Sequence, residues 1–442
     1  MSMTDNPWTS RFEPLMSRME IARLVESKPL PIYGLGSMPI EHACQTLNDV
    51  LKSVFIPTQQ CLYILERWLN LACSHSLRHY PDKVAFLRGV YQEDAPLPSL
   101  SNIMCLTGLA GVGKSELTKA FMKIQPEACR FNVNEHRNFQ TCSAWNFAVN
   151  ANASTNSILI KILGIEGRLT ELISLARKKA YRDGVSLMIS DELQFNSLSA
   201  DSNTRVAKLI LSLGYIGIPY VYVGNFSLLH RLLRRNQEEK QRFLTDVLLL
   251  SPDHPGSVDW MNTLIAFQEV APDVFDINLK VHAASIHQLT AGIKRALVKL
   301  YMIAFRSACL GKHKVTFKDL EAAYNSADYY IYKCDIEAIT YQMIKNEKYP
   351  FRDDLWCPIE LPNSNVSYIR SSFVKQSEEK EADEILLASL NAAERNGLKC
   401  MQKELGSEKS FPKRASVKSN SSKTAKNLMD NAKWLSEEIA KK

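Results

Sequence analysis

The run Gly108-Leu109-Ala110-Gly111-Val112-Gly113-Lys114-Ser115 sets three glycines ahead of a lysine and a hydroxyl, in the pattern GxxxxGK[ST]. Glycines let a loop curl until its backbone N–H groups converge on one point. A helix starting there turns its positive end to the same point. Such a cradle takes phosphate oxygens. A lysine beside it neutralises them, and a serine hydroxyl can ligate a divalent cation. The apolar run 103–106 before the loop reads as a strand, and 116–122 after it suits a helix, which is the context this pattern requires. The chemistry is therefore that of a nucleoside triphosphate, ATP with Mg2+. Gly108, Leu109, Ala110, Gly111, Val112, Gly113, Lys114, Ser115 and Glu116 form its expected binding loop, with Lys114 on the β- and γ-phosphates and Ser115 on the metal.

A phosphate loop needs a carboxylate partner. Leu187-Met188-Ile189-Ser190-Asp191-Glu192 supplies one, a buried strand ending in two acids. Asp191 is expected to hold Mg2+, mostly through water, and Glu192 to orient and deprotonate the attacking water. A further strand ends at Gly224-Asn225, where a polar group can touch the γ-phosphate or the lytic water, so Asn225 is read as a sensor. The basic stretch 228–243 follows. In a ring-forming ATPase an arginine here can reach a neighbouring subunit's nucleotide, and Arg234, Arg235 and Arg242 are the three contenders. The bland alternative is a solvated helix face whose arginines pair with Glu238 and Glu239. Gly292-Ile293-Lys294-Arg295 resembles a GxxR pattern that would put Arg295 on the nucleotide.

Strands and helices must carry these groups. Strand-like runs at 103–106, 143–148, 185–189 and 219–223 alternate with helical patterns, which implies a parallel sheet with helices on both faces. The expected fold class is α/β, an AAA+ P-loop ATPase with a helical lid and N- and C-terminal extensions. Four regions follow: an N-terminal extension (1–98) that packs on the core, the nucleotide-binding core (99–257), the helical lid (258–340) and a C-terminal extension (341–442). Within the first, Thr58 to about Ser74 carries apolar residues at helical spacing. In the lid, Leu289 to Leu310 is helical in pattern, and Thr316 with Asp319 reads as a capped helix start. Beyond about 341 prolines break the pattern. Glu378 to Leu405 could form one amphipathic helix, and 406–442 reads as a Ser/Lys-rich basic tail with a short element near Trp434.

Composition agrees with a globular chain of two or three domains. Of 442 residues, 45% are hydrophobic and 23% charged, and the net charge is +7. That mild excess permits an anionic partner without requiring one. Ten cysteines occur with no CxxC pair, and Cys44, Cys61, Cys73 and Cys105 read as reduced core thiols rather than a zinc site or disulfide framework. No run of about 18 apolar residues is present and the N-terminus lacks a signal pattern, so no membrane contact and a cytoplasmic location are expected.

These residues together resemble the TnsC/TniB group of AAA+ transposition regulators, more closely its longer TnsC branch. Asp5-Asn6-Pro7-Trp8 with Phe12-Glu13-Pro14-Leu15 looks like the N-terminal signature of that branch. The loop 108–115, Ser190-Asp191-Glu192 and Ile216-Gly217-Ile218-Pro219 leading to Val223-Gly224-Asn225 look like its nucleotide core. Gly292-Ile293, Leu297-Val298-Lys299-Leu300 and the approach to Val315-Thr316 look like its lid. The likeness spans residues 5 to about 340. Asn225 departs from the Thr-Pro that relatives often carry, and an arginine at the position of Arg295 is not constant among them.

The resemblance implies an ATPase that assembles as a ring or filament, a homo-oligomer, around double-stranded DNA. It implies contact with a target selector of the TniQ or TnsD kind and with a TnsB-like transposase, often with a TnsA-like endonuclease. ATP hydrolysis would turn the assembly off. Lys161 and the group Arg177, Lys178, Lys179 and Arg182 are the cations expected to face DNA phosphates, with a solvated basic helix as the other reading. Two other classes stay open: a helicase loader or initiator, and a signalling NTPase with no DNA. An initiator usually carries a winged helix after its lid, and 341–442 is too Pro-broken and Ser/Lys-rich to make one convincingly.

Overall fold

A computed structural model of the chain describes residues 6–128, 130–133, 136–149, 153–191, 193 and 202–359. Four helices precede the glycine loop: α1 (Arg18–Val25), α2 (Ile40–Ser53), α3 (Gln59–His79) and α4 (Lys83–Tyr91). Strands and helices then alternate as β1 (Ile103–Thr107), α5 (Lys114–Lys123), β2 (Arg130–Val133), β3 (His136–Gln140), β4 (Ala144–Ala148), α6 (Thr155–Leu163), α7 (Leu169–Arg182), β5 (Leu187–Asp191), α8 (Ser202–Gly214), β6 (Tyr220–Gly224), α9 (Phe226–Leu233), α10 (Gln237–Leu244) and β7 (Asp246–Leu249). The lid helices are α11 (Val258–Glu269), α12 (Leu279–Thr290), α13 (Lys294–Gly311), α14 (Phe317–Tyr324) and α15 (Tyr330–Lys345).

Five strands form one sheet in the order β4-β5-β6-β1-β7, every pairing parallel. Side chains alternate across it with the two-residue period of a pleated strand. Met104, Leu106, Leu187, Ile189, Val221 and Val223 face the layer built by α3, α5 and the lid. Ile103, Cys105, Met188, Tyr220 and Tyr222 face the layer of α4, α7, α8 and α9. Both faces are covered, so the central strands read as continuous apolar runs, and that is why the sequence exposes them. Because the strands are parallel, β1, β5 and β6 all end on one edge. The glycine loop, Asp191 and Asn225 meet there.

Several helix starts follow from their caps. Thr58 accepts from the Cys61 N–H at 3.3 Å and opens α3, and Thr316 with Asp319 closes a capping box on α14. The stretch 289–310 is two helices rather than one. Gly292 at φ 67° and Ala291 at φ 48° break it between α12 and α13, a left-handed turn that glycine adopts without penalty. The strand β7 and the antiparallel hairpin β2–β3 lie beyond the four strand-like runs of the sequence. Past 341 the chain is still helical to Lys345, and 349–359 then returns to the core. There His230 Nε2 donates to the Trp356 carbonyl at 3.0 Å.

The first ninety residues attach to two places. Asn6 donates to the Tyr80 carbonyl at 2.6 Å, and Trp8 is buried against Tyr80, Phe86 and Phe131. Arg11 donates to the Gly184 carbonyl at 2.7 Å and to Ser143 Oγ at 3.2 Å. These contacts fix the start of the chain to the sheet domain. Residues 32–53 go to the lid instead. Ile32 N donates to the Val270 carbonyl at 2.8 Å, Gly34 N to the Asp273 carboxylate at 2.9 Å, and Arg306 on α13 to Glu41 on α2 at 2.6 Å.

Candidate nucleotide-binding site

The glycine loop leaves β1 at Thr107 and enters α5 at Lys114. Gly108, Gly111 and Gly113 take φ of 158°, 82° and 116°. A side chain at Gly108 would run into the Leu250 carbonyl, and one at Gly111 would come within 2.7 Å of Arg295 Cβ. The glycines are thus required by backbone angle and by what crosses the loop. The Arg295 N–H donates to the Gly111 carbonyl at 3.1 Å, so the start of lid helix α13 is hydrogen-bonded to the loop itself.

Lys114 is buried, and its amine donates to the Gly108 and Leu109 carbonyls at 2.8 Å each. Burial pushes this amine down to about 8, partly offset by the nearby Asp191 carboxylate. A cation held by carbonyl dipoles in a poorly solvated loop is poised for an anion that would complete its neutralisation. Ala110, Gly111, Val112, Gly113, Lys114, Ser115, Glu116, Asp191, Asn225 and the lid residue Arg295 line one cavity of ≈ 970 Å³. Gly108 and Leu109 sit beneath it and supply carbonyls to Lys114. Glu116 is turned to Lys119 at 2.8 Å. Ser115 and Asp191 offer a hydroxyl and a carboxylate beside Lys114, hard oxygen donors that fit Mg2+.

Asn225 follows β6 directly and caps α9 without a side-chain hydrogen bond to the helix. The three arginines beyond it differ in their surroundings. Arg235 pairs with Glu239 at 2.5 Å and Arg242 with Glu238 at 2.6 Å, both within one helical turn. Arg234 is 71% exposed, with Asp353 of the returning C-terminal segment 3.7 Å away. Glu192 lies outside the described residues, as do the stretch 378–405 and the tail 406–442.

The residues expected on DNA also separate. Lys161 on α6, Lys178 and Arg182 on α7 are exposed. Lys179 and Arg182 pair with Asp183, at 3.6 and 2.8 Å. Arg177 instead donates to the carbonyls of Leu97, Pro98, Tyr215 and Ile216 at 2.8 to 3.3 Å. Its guanidinium ties the strand entries together, where Gly217 at φ 87° leaves it room.

Two features of the site were not legible in the sequence. The lid lysine Lys294 lies over Gly113, 3.7 Å from where a Cβ there would be, with its amine 5.9 Å from the Phe55 ring. Helix α2 forms the outer wall of the cavity through Glu41, Cys44, Gln45, Asn48, Leu51 and Lys52. Their i, i+3, i+4, i+7 spacing is that of one helix face. Only the spacing could have flagged them, and nothing local ties that face to a loop sixty residues on.

No family model matches the chain, and no curated protein matches it. Solved structures do. The ORC2 protein of Aeropyrum pernix is 15% identical over 63% of this chain and 72% of its own, with a TM-score of 0.38. Domain III of the replication initiation protein DnaA from Thermotoga maritima is 15% identical over 55% and 88%, TM-score 0.33. Cdc6p of Pyrobaculum aerophilum is 13% identical over 62% and 74%, TM-score 0.36. These likenesses are distant. The fold, an α/β P-loop architecture with helices on both faces of a five-stranded parallel sheet, rests on the strand order and the loop described above. Among the described residues no helix is long and apolar enough to cross a membrane.

Proposed function

We propose that this chain is an ATP-hydrolysing switch that assembles on double-stranded DNA and regulates transposition. It would link a target selector to a transposase while ATP is bound. The observation that carries the ATPase part is the buried Lys114 amine, held by two loop carbonyls and facing a cavity that Asp191 and the lid also line. The transposition part is supported by the TnsC-like residues of the sequence.

In this reading the loop N–H groups and Lys114 hold the β- and γ-phosphates. Ser115 and Asp191 hold Mg2+, which neutralises phosphate charge when bound. Glu192 takes the proton of the attacking water, and Asn225 positions that water against the γ-phosphate. Arg295, whose backbone is already bonded to Gly111, reports the nucleotide state to the lid. An arginine from a neighbouring copy, of which Arg234 is the least engaged, completes the site between subunits.

ATP turnover with and without duplex DNA tests this reading. Stimulation by DNA is expected, together with a Glu192→Gln variant that binds ATP but turns it over at least about a hundredfold more slowly. A rate indifferent to DNA would favour a signalling NTPase. A Glu192→Gln variant as fast as the parent would remove that residue from its role.

A further inference from the structure

From the wall of the same cavity, and resting on the nucleotide reading above, we infer that α2 reads the base. Gln45 and Asn48 accept the 6-amino group of adenine and so discriminate against bases that lack it there. Both residues line the cavity that the phosphate loop also lines, and along the chain they lie between Glu41, bonded to Arg306, and Phe55, whose ring is 5.9 Å from the Lys294 amine. The lining also includes apolar residues, Leu51, Val54 and Phe55 from α2 and the segment after it and Val298 and Met302 from the lid helix α13. A flat heteroaromatic ring fits between such walls, as a ring with a polar edge does in most ligand pockets.

The orientation of the two amides decides which edge is welcome. Gln45 Nε2 donates to both Asp49 carboxylate oxygens, at 3.2 and 3.0 Å. Asn48 Nδ2 donates to Asp49 at 3.4 Å. A carboxylate only accepts, so it holds the N–H ends of both amides and leaves their carbonyl oxygens for a ligand. An acceptor pair welcomes an N–H donor and repels a carbonyl. Adenine presents an amino group at its 6-position, where guanine presents an oxygen. The determinant thus sits on a helix that precedes the sheet domain in the chain and is bonded to the lid through Glu41 and Arg306.

The test is competition binding to the full-length protein with fluorescent ATP, against ATP, GTP and purine riboside triphosphate, which lacks the 6-amino group and puts nothing in its place. The parent protein is expected to favour ATP over purine riboside triphosphate by about tenfold and over GTP by more, the scale of one or two hydrogen bonds. In the Gln45→Leu/Asn48→Leu variant the first ratio should fall to about one while purine riboside triphosphate binds as before. Both positions lie on the outer, solvent-reached part of α2, and unchanged purine riboside binding reports an intact site. A preference that survives in the variant, or its absence from the parent, would overturn base reading by α2 and leave the phosphate site standing. Failure of the parent to bind any of the three would overturn the nucleotide reading and this inference with it.

Discussion

Lys114 concentrates the chemistry of the molecule in one amine. In the fold, burial lowers it to about 8 from an ordinary 10.5. Between those values the unfolded chain holds a proton that the empty fold lacks. The empty protein therefore gains stability as pH rises through that window, and the charged amine costs it stability below about 8. A bound triphosphate favours the charged form and should return the proton. Calorimetry at about pH 9 in two buffers of different ionisation enthalpy should then reveal proton uptake on ATP binding. A heat independent of the buffer would contradict the picture. Arg177 makes a second residue-scale case. A guanidinium on four backbone carbonyls works mainly in stability, so Arg177→Ala should destabilise the protein by about 2 kcal/mol in urea unfolding. Lys161→Ala and Lys178→Ala should leave stability within about 0.5 kcal/mol and lower DNA affinity, with a smaller salt slope. Sequence reading grouped Lys114, Ser115 and Asp191, which line one cavity, because the pattern around each is local. It grouped Arg177 with the other α7 cations, since the carbonyls it binds come from two segments distant in the chain, 97–98 and 215–216.

Among the elements, the contact of lid and loop matters most. The α13 start bonds to Gly111, and Gly111 has no room for a side chain beneath Arg295. Gly111→Ala should push the lid off the loop and strain a left-handed backbone, weakening ATP binding by about tenfold or more. Titration with a fluorescent ATP analogue measures it, and an unchanged affinity would show that the lid does not need this approach. The lid's own integrity rests partly on caps. Thr316 Oγ1 donates to Asp319 at 2.7 Å, and Asp319 also accepts from the Thr316 N–H at 2.8 Å. Thr316→Ala should cost about 1 kcal/mol of stability by chemical denaturation. The capping box was legible because its residues are three apart. The break at Gly292, the strand β7 and the seating of α2 on α13 were not, because each is decided by packing between segments distant in the chain rather than by local pattern.

At the scale of the whole molecule, the cavity is built from three parts of the chain: the sheet edge, the lid and a helix that precedes both. In the proposed function a nucleotide bound there would touch all three, and its presence would set the position of the lid against the sheet domain. In the proposed function that setting creates the face on which the next copy docks, with ATP between them and DNA enclosed. The most direct measurement is the mass of the assembly formed on duplex DNA with a non-hydrolysable ATP analogue, by analytical ultracentrifugation or electron microscopy over a series of duplex lengths. Multimers that need the nucleotide, grow or close as duplex length allows, and vanish in Lys114→Ala are the predicted result. A single subunit on DNA at saturating nucleotide would contradict the account.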